Sequence, residues 1–128
     1  MSEESMWGEI PKSGKGIKRP LDYLNEQANI LSRTYKSELI GDVTQEVNSA
    51  GRMTFDFDIR VPPLGSYRYS LLRVLHSMDI YPLTMYDLAN KVDYKCNDEA
   101  QFEDSLRTIL SSSKVREVIG KILTLMGK

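Results

Sequence analysis

The stretch Ser66-Tyr67-Arg68-Tyr69-Ser70-Leu71-Leu72-Arg73-Val74-Leu75-His76-Ser77-Met78 decides the fold, because its residues satisfy two periods at once. As a helix, Tyr67, Leu71, Val74, Leu75 and Met78 form an i, i+4, i+7, i+8, i+11 stripe behind Ser66 as N-cap. As a strand, Tyr67, Tyr69, Leu71 and Leu75 share one face with Arg73, while Leu72 and Val74 share the other with Arg68. Both faces would then be partly covered. Periodicity favours the helix slightly, and the tyrosines and the preceding hairpin favour the strand.

That hairpin is the clearest feature upstream. Val43, Gln45 and Val47 oppose Asp42, Thr44 and Glu46; after Asn48-Ser49-Ala50-Gly51, Met53, Phe55, Phe57, Ile59 and Val61 oppose Thr54, Asp56, Asp58 and Arg60. Near-strict alternation across a polar, glycine-bearing turn is the pattern of two antiparallel strands with one wet face. Pro62-Pro63-Leu64-Gly65 ends the second strand. Before the hairpin, Pro20 suits the first turn of a helix in which Leu21, Leu24, Ala28, Leu31 and Tyr35 recur at spacings of 3, 4, 3 and 4. A helix over 20–36 follows.

Downstream, Thr84-Met85-Tyr86-Asp87 has the form of a capping box, with Met85, Leu88, Ala89 and Val92 at helical spacing. Tyr81-Pro82-Leu83-Thr84-Met85 reads equally as a short edge strand. Asp98 caps a helix bearing Phe102, Leu106, Ile109 and Leu110. Ser111-Ser112-Ser113 breaks it, and Val115, Val118, Ile119, Ile122, Leu123 and Met126 form the apolar face of a last helix.

The chain has 128 residues, 41% hydrophobic and 27% charged, with a formal net charge of −1. This composition suits one folded domain rather than a disordered chain. Residues 1–19 form a polar lead-in of net charge +1, docked if at all by Trp7, and residues 20–128, carrying −2, form a single α+β domain. No apolar run approaches the roughly 20 residues of a bilayer span, and Met1-Ser2-Glu3-Glu4-Ser5 does not read as a signal peptide. A cytoplasmic location is expected. One cysteine, Cys96, excludes an internal disulfide, and one histidine, His76, excludes a metal site built on several imidazoles.

No motif carries a recognisable chemistry. Ser13-Gly14-Lys15-Gly16 fails as a phosphate loop on glycine spacing, on the residue after Lys15 and on the lack of a preceding strand. Asp56 and Asp58 share a strand face with Arg60, which is expected to offset them rather than leave them to a metal. No catalytic motif places a nucleophile or acid beside His76, and the Cys96 thiol has only Lys95 to activate it. No catalytic residue, metal or cofactor is therefore expected. Tyr67, Arg68, Tyr69, Arg73 and Tyr81 interleave aromatic and cationic groups, a composition suited to protein recognition.

The segments Leu24-Asn25-Glu26-Gln27-Ala28, Ser66-Tyr67-Arg68-Tyr69-Ser70-Leu71-Leu72, His76-Ser77-Met78-Asp79-Ile80-Tyr81-Pro82-Leu83 and Ile109-Leu110-Ser111-Ser112 together resemble a family of small bacterial proteins with no assigned function. The resemblance covers most of residues 20–125 and implies that the tyrosine segment is a long strand running into the Asp-Ile-Tyr-Pro turn. It implies no chemistry, and Tyr86–Cys96 departs from it as an insertion.

The expected fold is α+β: an N-terminal helix, an antiparallel sheet of three to four strands (about 39–48, 52–61, 66–77 and 80–86) and two C-terminal helices packed on one face. The expected function is that of a non-catalytic protein-binding or accessory module, acting through the exposed sheet face or an edge strand. Its partner is another protein, with a homo-oligomer open. Two alternatives compete. A winged helix-turn-helix DNA-binding regulator would use 66–78, 84–92 and 98–110 as its helices, but the third carries Asp98, Glu99, Glu103 and Asp104 against Arg107 alone, which disfavours nucleic acid. A small enzyme would gather His76, Arg73 and Tyr81.

Overall fold

The computed structural model describes residues 4–14 and 16–128. Lys15 of the glycine-rich segment, and Met1 to Glu3 at the start, lie outside the described residues. The lead-in carries no helix or strand among its described residues, and Trp7 does not dock it: the indole is 80% exposed, with Met6 and Ile10 also outside the core.

The domain runs α1 (Pro20–Thr34), β1 (Ile40–Val47), β2 (Met53–Val61), a 3-10 turn (Pro62–Leu64), β3 (Tyr67–His76), β4 (Leu83–Asp87), β5 (Val92–Cys96), α2 (Glu99–Leu110) and α3 (Ser113–Leu125). The fold class is α+β as expected, but the sheet has five strands rather than three to four. All are antiparallel, in the order β1-β2-β3-β4-β5.

Residues 67–76 are strand, and a bulge removes the ambiguity of their pattern. Phe57 pairs with Leu72 while Asp58 pairs with Ser70, so Leu71 is an extra residue on β3. Upstream of it Tyr67 and Tyr69 face inward; downstream Leu72, Val74 and His76 do. Leu71 and Leu72 are both buried. The phase change also puts Arg68 and Arg73 on the same, outer face, where strict alternation would have separated them. The carbonyl that the bulge displaces accepts a bond from Leu88 N–H (2.9 Å).

The fifth strand arises where helical spacing is misleading. Asp87 Oδ1 accepts the N–H groups of Ala89 (3.1 Å) and Asn90 (2.9 Å), a local turn that competes with a helix, and Lys91 adopts φ +59°. The chain reverses there, and Val92–Cys96 returns along β4. The Asp87 carboxylate is buried and fully used, since its Oδ2 also accepts from Asn90 Nδ2 (2.8 Å). Asn90 Nδ2 donates again to Ser112 Oγ (3.2 Å), the hydroxyl that caps α3 through Val115 N–H. One carboxylate thus ties the β4–β5 turn to the junction of the last two helices.

The three helices lie on one side of the sheet, over Phe55, Phe57, Ile59, Leu72, Val74 and Met85. α1 makes the closest approach. Gly41 in β1 lies against Ala28, where an added Cβ would stand 2.5 Å from the Ala28 Cα and 2.7 Å from its carbonyl oxygen. Gly41 N–H donates to Ser32 Oγ (3.0 Å), and that hydroxyl donates to the Ala28 carbonyl (2.9 Å). Gly41→Ala is expected to cost about 1–3 kcal/mol in denaturant unfolding by pushing α1 off β1. Ala28→Gly should not rescue it, because the nearest atoms are backbone.

Candidate functional site

The five recognition candidates do not form one surface. Arg68 and Arg73 stand on the outer sheet face. Tyr67 and Tyr69 lie on the helical side of β3, the first exposed and the second half-buried. Tyr81 belongs to the β3–β4 connection, before a cis peptide to Pro82, with its hydroxyl buried.

On the outer face the arginines close an ionic array. Register puts Asp42 directly opposite Asp58 and Arg60 opposite Arg68, two like-charge pairs that are unfavourable alone. Arg68 Nη1 resolves the first by reaching both Asp42 Oδ2 (2.7 Å) and Asp58 Oδ2 (3.2 Å). Arg73 grips Asp56 with two bonds, Nε to Oδ1 at 2.6 Å and Nη2 to Oδ2 at 3.3 Å. These contacts hold both guanidiniums above their ordinary pKa, through hydrogen bonds to Asp42 and then Asp58 for Arg68, and to Asp56 for Arg73. The cations that offset Asp56 and Asp58 therefore come from β3. Arg60, expected in that role, only approaches Asp42, at 4.0 Å. Apolar groups on this face reduce to Ile40 at one corner and Leu75 with Tyr86 at the other end, all half-exposed. Among the described residues, this face holds no other apolar group.

The residues named for an enzyme diverge. Arg73 is engaged on the outer face, whereas His76 is buried on the inner one. There its ring lies 5.3 Å from that of Phe55, and its Nδ1 sits 2.7 Å from the Ser77 carbonyl. The Cys96 thiol is buried beside Ser105 (3.7 Å), and burial raises its pKa, away from a reactive thiolate. The segments of the winged-helix reading, 66–78 and 84–92, form β3, β4 and the turn into β5, so no pair of helices precedes α2.

The opening with the most apolar lining is on the helical side. α1 and the α2–α3 pair flank a groove of about 180 Å³ whose floor is Phe57, Ile59 and Leu71 from the sheet. Ile30, Leu31 and Tyr35 form one lip; Leu110 and Ile119 form the other, above the buried Val115. Ile30 is 46% exposed. Sequence reasoning assigned Leu31, Tyr35, Leu110 and Ile119 to core stripes and passed over Ile30. The available signal was that Ile30 widens the apolar stripe of α1 beyond what core packing requires. Next to the groove, Tyr23 OH donates to Glu99 Oε2 (2.9 Å), with its ring edge-on to Phe102 at 5.6 Å.

No family model matches this chain, and neither does any curated protein or solved structure compared with it.

Two tyrosines separate hydrogen bonding from burial. Both are raised to about 12, Tyr23 by burial and then by Glu99, Tyr81 chiefly by burial. Because each ionises later in the fold than in the unfolded chain, stability is independent of them below the ordinary phenol value of about 10 and falls as pH rises from there to about 12. Tyrosinate absorbance should therefore show a late-ionising component that shrinks in both Tyr23→Phe and Tyr81→Phe. In urea unfolding at neutral pH the two should differ. Tyr23→Phe loses its bond to Glu99 and is destabilised by about 1 kcal/mol, while Tyr81→Phe removes an unpartnered buried hydroxyl and is neutral or stabilising.

Proposed function

We propose that this chain is a small cytoplasmic, non-catalytic protein-binding module. It takes an apolar segment of a partner protein into the groove between α1 and the α2–α3 pair. The observation that carries this reading is the groove itself. Its floor is core and its lips are aliphatic and aromatic side chains left partly in water, whereas the opposite sheet face is occupied by ion pairs. An apolar opening flanked by helices accepts a segment that presents side chains at helical spacing. Among the described residues no helix is long and apolar enough to cross a membrane.

Affinity purification from the native cell tests this with three baits: the wild type, Ile30→Glu in the groove, and Thr44→Lys on the outer face. Both substituted positions are partly exposed, so the fold should persist, to be checked by circular dichroism. A partner retained by the wild type and by Thr44→Lys but lost with Ile30→Glu is the expected result. The same set of proteins on all three baits would refute a docking role for the groove.

A further inference from the structure

We infer that the chain forms a twofold dimer by pairing the β5 edge with that of a second copy. β5 ends the sheet, and none of its backbone groups bonds to anything beyond β4 among the described residues. On the outer face it carries Asp93 and Lys95, which sit across from Tyr86 and Thr84 of β4. Neither makes an ion pair with another described residue, in contrast to the engaged Asp42, Asp56, Asp58, Arg68 and Arg73.

Antiparallel pairing of β5 with itself about Tyr94 brings Asp93 of each copy opposite Lys95 of the other. Opposite charges at directly paired positions favour this register, and the symmetry supplies the contact twice. On the helical side the same register sets Tyr94 against Tyr94 and Val92 against Cys96, covering the exposed Val92. The other edge is unsuited to self-pairing. β1 carries Asp42 and Glu46 and no cation, so a twofold about Thr44 would oppose acid to acid. The inference is independent of the groove, which β5 does not line.

Charge reversal tests the register. Sedimentation over a range of concentrations should show a reversible monomer–dimer equilibrium for the wild type. Asp93→Lys and Lys95→Asp, each folded by circular dichroism, should dimerise roughly tenfold more weakly or worse, since each opposes like charges twice. An equimolar mixture of the two variants restores both attractions and should dimerise as a heterodimer, as should the double exchange with itself. A wild type that stays monomeric to about millimolar concentration, single reversals that dimerise like the wild type, or a mixture no better than its components would each overturn the inference. So would oligomers that grow beyond two copies, the outcome of pairing β5 with the β1 edge.

Discussion

The extra residue at Leu71 is the constraint on which the rest of the domain depends. A strand of ten residues with leucines at adjacent positions cannot be one-sided if it alternates strictly. The bulge between Ser70 and Leu72 resets the phase, so both leucines enter the core and both arginines leave it. Its displaced carbonyl holds Leu88 at the start of the β4–β5 turn, so the irregularity in one strand anchors the reversal that creates the last.

A one-sided sheet then divides the molecule's chemistry. Its outer face is held by charge, with like-charged cross-strand neighbours reconciled by diagonal guanidinium contacts rather than by direct pairing. Such exposed ion pairs contribute little stability individually. Their larger effect is to occupy the polar groups that a partner would otherwise meet. The inner face is held by packing, close enough at Gly41 and Ala28 that no side chain fits between α1 and β1. α1 is thereby committed to the β1 side and α2 to the β5 side through Cys96 and Ser105. The groove over Phe57, Ile59 and Leu71 is the space that these two attachments leave.

Local elements were legible where one physical signal acted alone. The period of α1, the alternation of β2, the cap at Asp98 and the break at Ser111-Ser112-Ser113 each survive into the structure. Reading failed where two signals overlapped. Over Met85–Val92 helical spacing coincided with a turn closed by the Asp87 carboxylate, and hydrogen bonding to that carboxylate prevailed. The site was less legible than the fold. Tyrosines and arginines adjacent in sequence point to opposite sides of a strand, so their clustering along the chain says nothing of a shared surface.

The sequence by itself determined the α+β class, the position of the first helix and the hairpin, and the limits that one cysteine and one histidine place on chemistry. These follow from periodicity, capping and composition, which are local. The tertiary structure alone decided that Arg68 and Arg73 share a face, that Asp87 is buried at a turn, and that Ile30 borders an opening rather than open solvent. Each depends on how one segment registers against another. Registry is a property of paired strands and packed helices, and no single stretch of chain contains it.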